Sequence, residues 1–380
     1  MSSRAERLLE LGQSVWLDFI RRGHLVSGEF DRLVREAGVV GVTSNPTIFQ
    51  LAIADSPDYD EALGARIAEG LQGPALFEAL AVEDIQMACD RLRGVWERTG
   101  GRDGRVSIEV SPKLARDTAA TIAEARRLHR AVARGNVLIK VPATGEGLPA
   151  ISTLTADGIS VNVTLIFSLA RYRQVMDAYL SGLEHRAAGG ATLSDVFSVA
   201  SFFVSRVDSK VDAAIGKALE ALPATAARSE LESFRGQAAV ANARLAYAEF
   251  KAVTASPRFA ALKARGANVQ RPLWASTSTK NHAYPDTLYV DELIGPDTVN
   301  TMPLQTLAAF NDHGRLAVTI EQDLDRARML FDRLPKLGVP VETLIDQLEP
   351  EGVAAFATSY DSLLATLETR RREVAAARGA

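Results

Sequence analysis

Three short strands between residues 105 and 165 decide the fold: RVSIEVS (105–111), NVLIKVP (136–142) and GISVNVTL (158–165). Residues 113–133 lie between the first two strands and repeat apolar side chains every three to four positions, which is the spacing of an amphipathic helix. Strands that alternate with helices are typical of a parallel sheet, because neighbouring parallel strands need a long crossover connection. This stretch therefore predicts an α/β fold.

The same alternation extends in both directions. Further strands are predicted near residues 14–20, 38–44, 195–204, 268–276 and 297–302. Further helices are predicted at 168–183, 206–221 and 237–264. About eight strand–helix repeats favour closure into a (β/α)8 TIM barrel. An antiparallel sandwich with one solvated face is the alternative, and the intervening helices disfavour it.

Two segments predict helices in addition to the crossover helices of the barrel. Residues 51–103 are too long for a single crossover helix and predict extra helices on the outside of the barrel. Residues 303–380 predict a C-terminal helical extension with a break at Gly338-Val339-Pro340. We expect residues 1–380 to form a single barrel domain that carries both additions.

Composition narrows the classes of function. The 43 Lys and Arg residues against 47 Asp and Glu give a net charge of −4, which leaves no basic excess for a nucleic-acid backbone. The single cysteine excludes an intrachain disulfide and a multi-cysteine zinc site. The N-terminus MSSRAERLLE lacks the apolar core of a signal peptide, and no stretch has the composition of a membrane span. We expect a soluble cytoplasmic protein without nucleic-acid or membrane partners.

Polar side chains alternate with apolar ones inside the predicted strands. Asp18, Glu109, Lys140, Asn162 and Thr164 each lie between two apolar strand residues. In a barrel the apolar set would face the outer helices, and the polar set would face the lumen. Lumens normally pack branched apolar side chains, and an unpaired charge there is costly. These polar residues therefore indicate a functional site.

Lys140 allows two interpretations. An amine removed from water holds its proton less tightly, and the neutral amine is a nucleophile toward carbonyl groups. Lys140 could equally form a buried ion pair with Glu109 or Asp18. Its position alone does not separate the two.

Seven segments together resemble one known family. They are GVTSNPTIFQ (41–50), VSIEV (106–110), NVLIKVPAT (136–144), ISVNVTLIFS (159–168), ASFFVSRVD (200–208), RPLWASTSTKN (271–281) and DTVNTMP (297–303). They are similar to segments of the transaldolases and occur in the same order over residues 14 to 320. The likeness is to the longer bacterial form, with its helical insertion near the N-terminus and its extended C-terminus.

The resemblance implies a class I, Schiff-base transferase on a TIM barrel, without a metal or an organic cofactor. A dihydroxyacetone unit would pass from sedoheptulose 7-phosphate or fructose 6-phosphate to glyceraldehyde 3-phosphate or erythrose 4-phosphate. This is the transaldolase reaction of the non-oxidative pentose phosphate pathway. The expected partners are sugar-phosphate substrates. The resemblance neither requires nor excludes a homo-oligomer.

The same resemblance assigns roles to individual residues. Lys140 matches the Schiff-base lysine, and Asp18 matches the acid–base aspartate at the first strand. Glu109 matches the glutamate that acts through a water when the imine forms.

Further matches concern substrate binding. Residues similar to those that hold the donor hydroxyls or that water are Asn45, Asn162, Thr164 and Ser201. Those expected to bind the substrate phosphate are Arg206, Ser276 and Lys280, with Ser278 as a further donor. Asn45 precedes Pro46 and could serve turn formation alone. Lys280 departs from the family pattern in two ways. Family members often have an arginine that follows Ala-Ser more closely, and lysine offers a point charge instead of the two parallel N–H donors of a guanidinium.

Rival functions have weaker support. The segment GEGLPA (145–150) matches a dinucleotide-binding motif, but no acidic residue lies between Asp157 and Asp177, where the ribose contact is expected. The five histidines are too scattered for the ligand set of a metal-dependent aldolase. A fructose 6-phosphate aldolase of the same superfamily would carry glutamine in place of Glu109. A non-catalytic sugar-phosphate sensor is disfavoured, because every catalytic position that can be placed is intact.

Overall fold

A closed parallel barrel forms the centre of the computed structural model, which describes residues 2–54, 56–221, 223 and 226–379. Its eight strands follow one another around the barrel in chain order, from β1 to β8, and β8 pairs with β1. They are β1 Gln13–Leu17, β2 Val39–Val42, β3 Arg105–Glu109, β4 Val137–Pro142, β5 Val161–Ile166, β6 Ser198–Phe203, β7 Gln270–Ala275 and β8 Thr298–Met302. The predicted (β/α)8 barrel is confirmed, and the antiparallel sandwich is excluded.

Helices surround the barrel. They are α1 Arg4–Leu8, α2 Arg22–Ser27, α3 Glu29–Glu36, α4 Pro46–Ala54, α5 Asp60–Ala68, α6 Gly73–Arg91, α7 Arg93–Arg98, α8 Thr118–Val132, α9 Gly147–Ala156, α10 Leu169–Ala188, α11 Ser205–Ala221, α12 Ala226–Glu232, α13 Ala238–Thr254, α14 Pro257–Lys263, α15 Leu288–Asp291, α16 Leu304–His313, α17 Leu324–Lys336, α18 Val341–Asp346 and α19 Leu348–Gly379. Short 3-10 turns occupy Leu9–Leu11, Pro57–Tyr59 and Pro112–Leu114. No described helix combines the length and apolar composition that crossing a membrane requires.

Two helix boundaries differ from the prediction for local reasons. The helix expected from residue 113 begins at Thr118, because the Asp117 side chain accepts a hydrogen bond from the Ala120 amide and caps the helix there. The segment 237–264 forms two helices, α13 and α14, instead of one. Pro257 has no amide hydrogen to continue α13, and Ser256 caps the new helix.

The register of the sheet places polar residues of three adjacent strands at one level. Glu109 of β3 lies opposite Lys140 of β4, and Lys140 lies opposite Asn162 of β5. Strand side chains alternate between the two faces of a sheet, so the apolar neighbours of these residues face outward and pack against the helices. The predicted lumen positions of Glu109, Lys140 and Asn162 follow from this register.

A buried ion pair links the first crossover to the helical insertion. Asp84 of α6 is fully buried, and its carboxylate lies 2.7 Å from Arg22 Nε of α2. The Tyr59 hydroxyl donates to the other Asp84 oxygen at 2.6 Å. Burial raises the pKa of the Asp84 carboxyl to about 6, although Arg22 and Tyr59 oppose the shift. The paired charges hold α2 against α6.

The long C-terminal helix α19 runs back across the insertion and packs against α4, α5 and α6. Its buried side is an apolar stripe that includes Phe356, Tyr360, Leu363 and Leu367. These residues follow one another at intervals of three and four, so one face of the helix is covered. The chain reaches α19 through α17 and α18, which are separated by Gly338 at a φ of 86°. This break lies where the sequence predicts it.

Candidate active site

A cavity of about 280 Å³ opens at the carboxyl end of the barrel strands, where TIM-barrel enzymes place their active sites. Nine of the predicted site residues line it: Asp18, Asn45, Lys140, Thr164, Ser201, Arg206, Ser276, Ser278 and Lys280. The other two, Glu109 and Asn162, contact residues of this group directly. The structure therefore brings all the predicted site residues together.

The amine of Lys140 lies at the bottom of this cavity. Its Nζ is 3.2 Å from Glu109 Oε2, and it donates a hydrogen bond of 3.1 Å to the Ser44 carbonyl. The two charged side chains are only 5% and 4% exposed, so water screens their interaction weakly. The ion pair considered from sequence is thus present, and the same amine also faces a cavity large enough for a small ligand.

Burial changes the acid–base behaviour of both nearby carboxyl groups. Burial raises the pKa of Asp18, and the charges of Lys140 and Lys280 offset that shift only in part. Burial likewise raises the pKa of Glu109, while Lys140 opposes the shift and Asp18 adds to it. Carboxyl groups with raised pKa values exchange protons nearer to neutral pH, which suits acid–base catalysis.

A chain of hydrogen bonds orders the polar residues beside Lys140. Ser201 Oγ donates to Asn162 Oδ1 at 2.7 Å, and Asn162 Nδ2 donates to Ser107 Oγ at 2.9 Å. The Thr164 hydroxyl is buried and has no hydrogen-bond partner among the described residues. Leu165 beside it has a φ of 60°, at a bulge between β5 and β6. Such a bulge redirects neighbouring side chains, and Thr164 lines the cavity.

Two cations, Arg206 and Lys280, stand at the rim of the cavity. Within the described residues, neither Arg206 nor Lys280 forms an ion pair. The Arg206 guanidinium lies 5.5 Å from the centre of the Phe203 ring, and burial lowers its pKa. Lys280 Nζ donates to Ser278 Oγ at 2.6 Å. Unpaired cations at a cavity mouth favour an anionic ligand such as phosphate.

Asn45 contributes to the cavity and also to the local backbone. Its Oδ1 accepts a hydrogen bond of 3.0 Å from the Ile48 amide in the first turn of α4. The role in turn formation that the sequence suggests for Asn45 is therefore confirmed for its side-chain oxygen. Its amide nitrogen makes no hydrogen bond to the described residues, and Asn45 lines the cavity.

Sequence reasoning missed one wall of the site. Phe356 of α19 lies over the amine, with its ring centre 5.5 Å from Lys140 Nζ. Hydrogen bonds from α4 hold α19 in place, from Thr47 to Ser359 at 3.0 Å and from Gln50 to Ser362 at 2.8 Å. The apolar spacing of α19 signals a buried face, but not that this face covers the cavity.

A second, larger cavity of about 380 Å³ lies on the far side of Glu109, between α4, α6, α8 and α19. Most of its lining is apolar, including Phe49, Phe77 and Leu128. A ligand site needs convergent polar groups as well as volume. The lysine in its lining, Lys113, is half exposed and pairs with Asp361 at 2.5 Å, so we assign the chemistry to the smaller cavity, which holds the buried Lys140. No group of three or more His, Cys, Asp or Glu residues in the described part of the chain could hold a metal ion.

Comparison with known proteins identifies the family of the chain. Residues 15–367 match the family model described as transaldolase/fructose-6-phosphate aldolase. "Transaldolase 1" of Streptomyces coelicolor is 51% identical over 363 residues, which cover 95% of this chain and 93% of that protein. "Transaldolase" of Frankia alni is 50% identical over 368 residues, 97% of each chain. "Transaldolase" of Thermobifida fusca is 50% identical over 365 residues, 96% of this chain and 97% of that one. The chain therefore belongs to the transaldolase/fructose-6-phosphate aldolase family.

Proposed function

We propose that this protein is a transaldolase of the non-oxidative pentose phosphate pathway. It would transfer a dihydroxyacetone unit from sedoheptulose 7-phosphate or fructose 6-phosphate to glyceraldehyde 3-phosphate or erythrose 4-phosphate. The observation that carries the proposal is the buried amine of Lys140, 3.2 Å from Glu109, in a cavity that it shares with Asp18. Family membership and relatives named transaldolase support it.

The first stage joins the donor to the protein. Lys140 passes its proton to Glu109, 3.2 Å away, and the amine then attacks the donor ketone. The resulting carbinolamine takes up a proton and loses one water to give an iminium ion. Glu109 supplies, through a water, the proton that this dehydration needs. Burial raises the pKa of its carboxyl, which suits that carboxyl to proton transfer. Thr164 helps to hold that water, and its hydroxyl, which lines the cavity and has no partner among the described residues, supports this role.

The second stage breaks and remakes a carbon–carbon bond. Asp18 takes the proton of the donor C4 hydroxyl, the C3–C4 bond breaks, and its electrons move into the iminium to give an enamine. The aldose phosphate leaves, and the acceptor aldehyde takes its place. The enamine carbon attacks that aldehyde, and Asp18 returns the proton. Hydrolysis of the new iminium frees the product and restores Lys140.

Trapping of the imine tests this function. Sodium borohydride with fructose 6-phosphate should reduce the iminium and leave a stable adduct on the peptide that contains Lys140. The variant Lys140→Met should lose the adduct and the activity. Lys251→Met is a suitable control, because Lys251 is exposed and pairs with Glu321 on the outer surface. An adduct on another lysine, or full activity in Lys140→Met, would overturn the mechanism.

A second experiment separates transfer from simple cleavage. The family includes fructose 6-phosphate aldolases, which release free dihydroxyacetone. Those aldolases would carry glutamine in place of Glu109, so the glutamate favours transfer. Fructose 6-phosphate alone should therefore give little free dihydroxyacetone. Addition of erythrose 4-phosphate should give sedoheptulose 7-phosphate. Rapid release of dihydroxyacetone without an acceptor would favour the aldolase.

The proposal has four further parts. Arg206, Ser276 and Lys280 bind the substrate phosphate at the rim of the cavity. The reaction needs neither a metal nor an organic cofactor, so chelators should not affect the activity. Residues 1–380 form one barrel domain, which limited proteolysis can test. The protein works in the cytoplasm, and fractionation of the source cells would test this.

A further inference from the structure

The loop after β7 carries half of the proposed phosphate site. We call residues 276–291 the rim loop; it includes Ser276, Lys280 and the short helix α15. Lys280 is exposed, as are the three residues that follow it. An exposed loop must lose conformational freedom when it binds a ligand, which weakens binding unless the loop is ordered beforehand. What holds the rim loop therefore matters for phosphate affinity.

Two tyrosines of the rim loop bind two aspartates of α11. The Tyr289 hydroxyl donates to Asp208 Oδ2 at 2.8 Å, and the Tyr284 hydroxyl donates to Asp212 Oδ2 at 2.7 Å. Asp208 and Asp212 are one helical turn apart, so they present their carboxylates on the same face of α11. Arg206, the other cation of the proposed phosphate site, lies in the first turn of the same helix.

A backbone amide also binds the second oxygen of each of these two carboxylates. Asp208 Oδ1 accepts a 2.7 Å hydrogen bond from the Ala239 amide, and Asp212 Oδ1 accepts one of 2.9 Å from the Gly236 amide. A Cβ at Gly236 would lie 2.7 Å from Cζ of the Tyr284 ring, so the ring packs directly on the backbone there. Each aspartate thus bridges a fixed backbone and the rim loop.

At its start, the rim loop is tied to the barrel as well. The hydroxyls of Ser205 and Ser276 are 2.9 Å apart, and the Thr277 hydroxyl donates to the Thr301 carbonyl at 2.8 Å. Lys280 therefore lies between two anchored ends of the loop. The tyrosines supply the second anchor, and both of their partners belong to the helix that carries Arg206.

We propose that Tyr284 and Tyr289, through Asp212 and Asp208, are positioning residues that hold Lys280 across the cavity mouth from Arg206. None of the four needs to touch the substrate. They would lower the KM of phosphorylated substrates by ordering the rim loop before binding, and leave the chemistry at Lys140 unchanged. This inference rests on the proposed function, because it presumes that Arg206 and Lys280 bind the substrate phosphate.

Steady-state kinetics of the double variant Tyr284→Phe/Tyr289→Phe test the proposal. Each change removes one hydroxyl and keeps the ring. We expect the KM for fructose 6-phosphate to rise about five- to fifty-fold at nearly unchanged kcat, from the loss of two anchoring hydrogen bonds. Turnover of fructose with unphosphorylated glyceraldehyde should stay near its original value. Tyr247→Phe is the matched control, because its hydroxyl bonds the Pro296 carbonyl at 3.0 Å, away from the rim loop.

The outcomes distinguish a failure of the positioning role from a failure of the proposed phosphate site. Unchanged KM values in the double variant, or equal losses for phosphorylated and unphosphorylated substrates, would overturn the positioning role. Arg206→Ala tests the phosphate site itself, and an unaltered preference for phosphorylated substrates in that variant would overturn the site. If the double variant does not fold, the single variant Tyr284→Phe decides, because Tyr284 is only half-buried and its loss disturbs the core less.

Discussion

Replacing Asp208 with asparagine should change how the free energy of unfolding depends on pH. The Asp208 carboxyl is buried between α11, α13 and α15. Burial raises its pKa from 3.8 to about 7, and the charge of Asp212 adds to the shift. The amides of Ala238 and Ala239 and the hydroxyl of Tyr289 oppose it without cancelling it.

The sign of the effect follows from proton binding. The folded protein holds this proton more tightly than the unfolded chain does, so deprotonation favours unfolding. The stabilising contribution is complete below pH 3.8 and is lost as the pH rises toward about 7. The loss is about 1.4 kcal/mol per pH unit in that window, which amounts to about 2.5 kcal/mol between about pH 5 and pH 8. Asparagine has no proton to release, so the variant should lack this component.

Equilibrium unfolding in urea, followed by tryptophan fluorescence and circular dichroism at several pH values, measures the effect. The difference in unfolding free energy between Asp208→Asn and the unmodified protein should shift by about 2.5 kcal/mol in favour of the variant from about pH 5 to pH 8. Asp325→Asn serves as the control for the replacement of an aspartate on a helix, because the Asp325 side chain is 99% exposed. Equal pH slopes for Asp208→Asn and the unmodified protein would refute the reasoning.

Three further predictions concern other parts of the protein. Asp18→Asn should reduce turnover by about 10²–10⁴ while borohydride still traps the donor on Lys140; loss of trapping would place Asp18 in imine formation instead. Asp84→Asn should lower the free energy of unfolding by about 3 kcal/mol, because Arg22 loses a buried carboxylate partner, and a loss below about 1 kcal/mol in urea unfolding would contradict this. Cys89 is buried and burial raises the pKa of its thiol, so Ellman's reagent should label it only after unfolding; fast labelling of the folded protein would count against this.

Much of the fold could be predicted because the relevant signals are local. Alternation with a period of two is visible in any strand, and the order of strands and helices limits the topology. Glu109, Lys140 and Asn162 each occupy the fifth position of a predicted strand, and they lie at one level of the barrel. The corrected helix boundaries also have local causes, the Asp117 cap and the Ser256-Pro257 pair.

The sequence by itself determined the class of fold, the lumen side of four strands and the grouping of the candidate site residues. Only the tertiary structure decided which surfaces close that site. Phe356 covers the Lys140 amine from a helix near the far end of the chain, and Tyr284 and Tyr289 bind aspartates of another element. A buried helix face shows a pattern in sequence, but the pattern does not name its partner. That choice depends on how distant elements pack together, and no local interaction encodes it.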